Sequence, residues 1–512
     1  KQMIHPQYQI FDKSENLDID NNLTPVYPTT AGLQQGRIRK VIHDSILYCD
    51  KHDLLKESSS LNAESGFPDL WENLKFIHNP PSDIDIQTLI EGKHPAQRSL
   101  IKEELVAHML CAGILKNELE GRSGPVMDKI SNAEEKFTSS LEFNLTGAQK
   151  RTWDEIRSDL TGNLPMRRLL QGDVGSGKTL VGALSALHAH ENGWQTAFMC
   201  PTEILAEQHH LSLSEWFSSL GLRVELLTGS TNTSDRKEII SKLKSGEINI
   251  LVGTHALFQE DVIFNCLGLT VIDEQHRFGV HQRFSMLEKG GTKNQSPHQL
   301  IMTATPIPRT LAMTVYGSLE TSIIDEMPPG RRPVETSARP NSLRQKVIKR
   351  IEEVCLSGQR VYWVCTLIEE SEELEAQSAE ELFKEISEQL PEINVGLVHG
   401  KLKKKSKDQV IKKFREGKIQ LLVCTTVIEV GVDVPEATLM IIENPERLGL
   451  SQLHQLRGRV GRKADSDSHC LLLYKEPLSS LAEERIKTMQ ETNDGFEIAE
   501  KDLELRGAGD IY

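Results

Sequence analysis

The sequence predicts an α/β protein with two parallel-sheet domains in tandem, on three observations. From Phe143 onward, short apolar runs of strand length alternate with helical patterns, the mark of a parallel sheet covered by helices on both faces. Met327-Pro328-Pro329-Gly330-Arg331-Arg332-Pro333 interrupts that pattern, because prolines and glycine cannot continue it, and a second series follows. In the first series, Gln171-Gly172-Asp173-Val174-Gly175-Ser176-Gly177-Lys178-Thr179 joins an apolar run to a helix-forming run.

Residues 1–140 precede the alternation. Leu54 to Glu64 is polar and reads as loop. Arg98 to Asn117 places Leu100, Ile101, Leu105, Val106, Met109, Leu110, Ile114 and Leu115 at helical spacing and reads as a packing helix. The first sheet domain, residues 141–330, draws its strands from Leu169–Leu170, Thr196–Cys200, Val224–Leu227, Ile248–Val252, Leu269–Ile272 and Leu300–Met302. The second, residues 331–475, draws them from Val361–Cys365, Val395–Val398, Leu421–Cys424, Leu439–Ile442 and Cys470–Leu473. Residues 476–512 form a short tail, helical and charge-rich over Ser479 to Gln490.

With 38% hydrophobic and 26% charged residues, the composition is that of a soluble globular protein. No apolar run is long enough to span a bilayer, so no membrane partner is expected. The start, Lys1-Gln2-Met3, has neither an initiator methionine nor a signal-peptide core and reads as a fragment of a longer protein. A net charge of −15 weighs against a small nucleic-acid-binding domain, but a large protein need be basic only along one groove. The run from Lys401 to Lys407, with Lys412, Lys413 and Arg415, suits either such a groove or a solvated helix face. The eight cysteines show no metal-ligand spacing, and several lie inside apolar runs, as small buried hydrophobes of a reducing compartment do.

Ligands of open α/β sheets sit off the C-terminal strand ends, so the residues just after each run are the ones to inspect. Gly172, Gly175 and Gly177 let backbone N–H groups of Asp173 and Ser176 turn in around phosphate oxygens, at a helix N-terminus that favours anions. Lys178 reaches the outer phosphates, and the Thr179 hydroxyl suits Mg2+. Asp273 and Glu274 end another apolar run. One carboxylate can serve a metal while the other orients and deprotonates water. Thr303 and Thr305, after the next run, offer hydroxyls to that acidic turn. Arg459 and Arg462, in Gln455-Leu456-Arg457-Gly458-Arg459-Val460-Gly461-Arg462, are spaced to face one cleft and stabilise a transferring phosphoryl group. In Phe143-Asn144-Leu145-Thr146-Gly147-Ala148-Gln149, the Gln149 amide can read adenine; Thr146 as a plain helix N-cap is the rival reading.

Taken in order, Gln149, Gly172–Thr179, Pro201–His209, Leu226–Ser230, Gly253–Gln259, Asp273–His276, Thr303–Pro306, His399–Gly400, Thr425–Asp433 and Gln455–Arg462 resemble the motifs of superfamily 2 helicases. Within these, Asp273–Val280, Thr305–Thr314, Trp363–Glu372 and Glu443–Leu450 are similar to the RecG family, bacterial ATP-dependent helicases that remodel branched DNA. The likeness runs from about residue 90 to the end and is weaker over residues 1–80, where Gln2–Gln9 and Leu23–Arg37 look like the tail of that family's wedge domain.

The resemblance implies tandem RecA-like motor domains, a wedge and linker remnant before them, and a helical translocation hairpin after them. It implies ATP and Mg2+. Lys178, Asp273, Glu274, Gln455, Arg459 and Arg462 would be catalytic, with Thr179 and Asp273 at the metal. Phe143, Gln149, Gly172, Asp173, Gly175, Ser176, Gly177, Gly431 and Asp433 would surround the nucleotide. Pro201, Thr202, Thr228, Gly229, Thr254, His255, His276, Thr303, Thr305, Thr366, His399, Gly400 and Thr425 would line the DNA path or couple it to ATP. Arg485 and Arg506 match the hairpin arginines. The implied partners are forked and four-way DNA and a single-stranded-DNA-binding protein, for a monomer in the nucleoid-bearing cytoplasm of a bacterium. The family's wedge would precede Lys1, and its hairpin loop would run past Tyr512.

Three rivals are weighed. A transcription-repair coupling translocase shares Thr305–Thr310, but Gln275-His276 and Ile368–Glu372 look RecG-like. A protein-translocating motor would insert a peptide clamp where only the short stretch from Gly253 to Asp273 is found. Intact Lys178, Glu274 and Arg462 argue against a non-hydrolysing scaffold.

Overall fold

Apolar strands flanked by helices close into two parallel sheets in the computed structural model, which describes residues 22–27, 34–52, 54, 69–120, 122–274, 295–304, 319–366, 372–426, 434, 436–461 and 467–506. The chain divides into two units, Lys1–Ile114 and Leu115–Tyr512. The loop expected at 54–64 lies, but for Leu54, outside the described residues.

The first unit is helical: α1 (Gln35–His52), α2 (Leu70–His78), α3 (Ile86–Ile90) and the start of α4 (Pro95–Glu120). Asp69 caps α2 by accepting the Trp71 N–H at 2.9 Å, and the Trp71 indole donates to Asp50 of α1 at 2.6 Å. The helix expected over 98–117 forms within α4, where Leu100 and Val106 of the expected packing set are half-buried. Ile101, Leu105, Met109, Leu110 and Ile114 are exposed. Periodicity reports which residues share a face, not whether anything covers it.

In the second unit α5 (Ala133–Ser140) and α6 (Gly147–Leu160) lead into β1 (Arg167–Gly172), α7 (Lys178–Glu191), β2 (Gln195–Met199), α8 (Glu203–Phe217), β3 (Val224–Leu227), α9 (Thr233–Ser245), β4 (Ile250–Gly253), β5 (Leu267–Asp273), β6 (His298–Thr303) and β7 (Glu320–Ile324). These seven strands pair in the order β3-β4-β2-β5-β6-β1-β7, and the ladder is parallel throughout. Helix α7 lies close on the sheet because Gly182 has no side chain. A Cβ there would stand 3.3 Å from the Met302 sulfur and 3.4 Å from the Phe198 ring. Met127 and Phe137, which precede residue 141, are fully buried in this core.

The chain continues through β8 (Glu335–Pro340), α10 (Arg344–Leu356), β9 (Arg360–Val364), α11 (Glu372–Gln389), β10 (Val395–Val398), α12 (Lys404–Arg415), β11 (Leu421–Cys424), β12 (Ala437–Glu443), α13 (Leu450–Arg457), β13 (His469–Tyr474), α14 (Ser480–Glu491) and α15 (Gly495–Arg506). The second sheet runs β10-β11-β9-β12-β13-β8, again parallel. Neighbouring side chains on β9 serve opposite faces. Tyr362 packs on Phe414 of α12, their rings 5.0 Å apart, and Trp363 enters the core with Ile348 of α10 and Ile386 of α11. Helices α14 and α15 belong to this domain's core through Ile486, Met489 and Ile498.

Every strand expected from the sequence is present. Two more, β7 and β8, were not foreseen; both are sheet edges, and both are rich in polar residues. An edge strand need not be apolar on both faces, so it escapes a hydrophobic pattern. No described helix is long and apolar enough to cross a membrane.

Candidate nucleotide site between two parallel sheets

Buried Leu169 and Leu170 bring β1 to the sheet's C-terminal edge, where residues 173–177 turn into α7. Gly175 and Gly177 take positive φ, 76° and 92°, which an L side chain resists. A side chain at either glycine would also have to displace a neighbouring side chain. A Cβ on Gly177 would stand 2.2 Å from the Gln149 amide nitrogen, and one on Gly175 2.1 Å from the Arg331 guanidinium. Lys178 Nζ donates to the Gly172 and Asp173 carbonyls, both at 2.8 Å. The Ser176 hydroxyl is buried and has no hydrogen-bond partner among the described residues. An orphaned hydroxyl in a glycine cradle at a helix N-terminus fits a phosphate.

Asp273 closes β5 and Glu274 follows with φ 51°, a left-handed conformation that glycine adopts readily and a residue with a Cβ rarely does. The Glu274 N–H is tied to Met302 O at 2.9 Å, which fixes the turn against β6. The side chain accepts from the Ala304 N–H at 3.4 Å. Burial and the neighbouring Asp273 charge push the Glu274 carboxyl up to about 7, against the pull of Lys178, the Ala304 N–H and Arg459. Asp273 is buried too, which alone would raise its pKa. A hydrogen bond from His209 Nε2 at 2.8 Å and the Lys178 charge outweigh this and hold it below the ordinary carboxylate value. One carboxyl of the pair thus stays ionised and the other is poised near neutrality, the division of labour a metal ligand and a general base require. His209, on α8, was not singled out in the sequence; a histidine in a helix carries no signal of its partner.

Thr146 caps α6, accepting the Gln149 N–H at 3.2 Å, while the Gln149 oxygen accepts the Thr146 N–H at 3.0 Å. This is a capping box, so the rival reading of that segment describes the local structure. The Gln149 amide nitrogen donates to Ser176 O at 2.8 Å, so the side chain ties α6 to the phosphate loop. Phe143 is about half exposed.

The second sheet meets the loop through α13. A Cβ on Gly458 would stand 2.8 Å from the Val174 side chain, so the two domains touch backbone to side chain there. His454 Nε2 donates to Asp173 Oδ1 at 2.5 Å. Arg331, in the segment between the sheets, donates to Val174 O at 2.5 Å. A cavity of about 350 Å3 lies alongside, lined by Asp173, Ser176, Glu326, Arg331, His454 and Arg457 among others. Gln455 is buried on α13, and Arg459 follows it close enough for its charge to act on Glu274. His454, Arg457 and Arg331 were missed because neither motif spacing nor composition shows which residues of a distant segment a loop will meet.

Most of the remaining expected residues that are described stand at strand ends. Thr202 caps α8, accepting the Leu205 N–H at 3.4 Å. Thr228 bonds Ser230 at 3.0 Å, and Ser230 is held by Glu203 of α8 beside Gly229. Pro201, Thr254 and His255 follow β2 and β4, and the Thr254 hydroxyl is buried without a hydrogen bond among the described residues. Thr303 is buried at the end of β6. On the second sheet, Thr366 donates to the Glu443 and Asn444 carbonyls, so its hydroxyl secures β12. His399 lies 3.6 Å from Glu380 after β10, beside Gly400, and the Thr425 hydroxyl after β11 has no hydrogen bond among the described residues. Arg485 lies on α14, and its buried Nε makes no hydrogen bond among the described residues. Thr179 stands in the first turn of α7, directly after Lys178. His276, Thr305, Gly431, Asp433, Arg462 and the Arg506 side chain lie outside the described residues.

Two parallel sheets with a phosphate loop and acid pair on one and a glutamine-arginine segment on the other define an ATP-driven helicase motor. The family model for DEAD/DEAH box helicases matches residues 146–314, and that for the helicase conserved C-terminal domain matches residues 345–464. The ATP-dependent DNA helicase RecG of Escherichia coli K12 is 51% identical over 511 residues, spanning 100% of this chain and 73% of that protein. RecG of Haemophilus influenzae is 49% identical, over 99% of this chain and 73% of its own length. A solved structure of RecG bound to a three-way DNA junction superposes with a TM-score of 0.76 at 40% identity, covering 95% of this chain and 63% of that one. The chain belongs to the RecG family of ATP-dependent DNA helicases, and it spans about two thirds to three quarters of the length of these relatives.

Proposed function

We propose that this chain hydrolyses ATP between its two sheets and uses the cycle to move along DNA, acting at branched structures such as forks and four-way junctions. The observation that carries the reading is the meeting, around one phosphate loop, of Lys178, an acid pair with split ionisation, and Arg459 from the second sheet. The branched substrate is supported by the RecG relatives and by the RecG structure bound to a three-way junction.

In this reading the loop N–H groups and Lys178 bind the triphosphate. Glu274 holds a water and takes its proton. Arg459 and Arg462 stabilise charge on the transferring group, with Gln455 beside them. Thr179 and Asp273 would hold Mg2+, which neutralises phosphate charge when bound. Phe143 and Gln149 serve the base, for which the Gln149 amide exchanges its present partners; Gly431 and Asp433 serve the nucleotide from the second domain. ATP contacts made from both walls favour a closed arrangement and ADP contacts an open one, which is the differential a population shift needs. DNA lies along the strand-end residues Pro201, Thr202, Thr228, Gly229, Thr254, His255, Thr366, His399, Gly400 and Thr425. His276, Thr303 and Thr305 couple it to the acid pair, and Arg485 and Arg506 act through the hairpin. The fold assignments 1–140, 141–330, 331–475 and 476–512, a monomeric state and a single-stranded-DNA-binding protein as partner belong to the same proposal.

The deciding measurement is the ATPase rate across single-stranded, linear duplex, forked and four-way DNA. Strongest stimulation by fork or four-way DNA is expected. Equal stimulation by every form would remove the branched-DNA part, and no ATPase at all would remove the motor.

A further inference from the structure

Asp173 is out of place by its charge. It stands inside a loop whose glycines, backbone N–H groups and Lys178 are arranged for phosphate oxygens, and a carboxylate there repels the ligand the loop is shaped to hold. Its side chain is largely buried, so water does little to screen it.

A chain of hydrogen bonds from the second sheet accounts for that carboxylate. Arg457 Nη2 donates to His454 Nδ1 at 2.9 Å. Arginine has no acceptor, so Nδ1 must be bare and the ring proton sits on Nε2. That proton goes to Asp173 Oδ1 at 2.5 Å, which also receives the Val174 N–H at 2.6 Å. Arg457 is itself buried and is seated in the last turn of α14, donating to the Met489 and Thr492 carbonyls, both at 2.9 Å, where a helix end favours a cation. A buried positive charge is thus delivered one imidazole away from the loop's negative one. None of these links is the phosphate-facing chemistry assigned to Lys178, Glu274 or Arg459.

We propose that His454 is a positioning residue that pins the Asp173 carboxylate to α13 and so keeps its charge off the bound phosphates. The proposal rests on the reading that this loop binds nucleotide. It makes nucleotide affinity depend on a residue of the other domain, which contacts no phosphate. Without His454, the carboxylate keeps only the Val174 N–H and can turn toward the cradle.

The test is equilibrium binding of a fluorescent ADP analogue to the full chain, with no turnover involved. His454→Ala should weaken binding about tenfold, the size of one poorly screened like-charge contact. Asp173→Asn placed on top of His454→Ala should bind at least about fivefold more tightly than His454→Ala alone, because the charge that His454 restrains is gone. His454→Gln, whose amide nitrogen can take the place of Nε2, should stay within about threefold. An unchanged affinity in His454→Ala overturns the proposal. So does a double variant as weak as His454→Ala, which would make His454 packing alone. If His454→Ala does not fold, His454→Leu fills the volume and carries the same comparison. Failure of the unaltered chain to bind the analogue would instead refute the nucleotide reading.

Discussion

At the scale of single residues, the site is built from departures that elsewhere would only cost stability. Glu274 holds φ 51° in a turn tied to Met302 O, and burial beside Asp273 pushes its carboxyl up to about 7. Lys178 is turned onto the carbonyls of its own loop, bonds that phosphate oxygens would replace. Lys178→Ala should lose phosphate contact, and Glu274→Gln should keep nucleotide but lose the base. Each should cut turnover at least about a thousandfold, while DNA binding, measured by gel shift, stays within about threefold. Undiminished hydrolysis in either variant would remove that residue from the site.

At the scale of elements, the strands owe their register to a few buried polar anchors as well as to apolar faces. His298, at the start of β6, accepts the Met166 N–H at 2.9 Å and donates from its other nitrogen to Pro125 O at 2.6 Å. Those two bonds need a neutral ring, and burial holds its pKa below the ordinary histidine value. Below about pH 6.5 the unfolded chain therefore takes up a proton that the folded chain refuses, so this stability is complete above that pH and shrinks as pH falls. Urea midpoints between pH 7.5 and 5.5 should drop more steeply in the natural chain than in His298→Gln, by about 1 kcal/mol per pH unit at most. Parallel profiles would show that His298 is not neutral in the fold.

At the scale of the whole molecule, two α/β domains share one loop. Val174 meets Gly458, Asp173 meets His454, and the Arg459 charge reaches Glu274. Helix α13, which supplies His454 and leads into Gly458, is held at both ends by helices α14 and α15. Asp502 of α15 accepts from Leu450 N and the Ser451 hydroxyl, and Arg457 enters the end of α14. Helices α14 and α15 are thus tied to α13 within the second domain. Arg459→Ala should lower DNA-stimulated turnover by about 10³–10⁵-fold while the slope of log affinity for DNA against log salt stays as it was, because the arginine serves phosphoryl transfer and not the DNA backbone. A flattened salt slope with normal turnover would place Arg459 on DNA instead.

The sequence by itself determined the two sheets, the linker between them, the phosphate loop and the acid pair. Each is written in local order: apolar runs of strand length, a glycine loop entering a helix, polar residues just past a strand. It did not show β7 and β8, whose polar faces lie at sheet edges. It expected α4 to pack, and among the described residues Ile101, Leu105, Met109, Leu110 and Ile114 are exposed. Only the tertiary structure decided that His209 holds Asp273, that Arg331 and His454 reach the phosphate loop, and that Gln149 ties α6 to it. Such contacts join residues up to 281 positions apart, as in His454 and Asp173. A strand or a loop answers to its neighbours along the chain. A partner across a cleft is chosen by where two separately folded sheets come to rest.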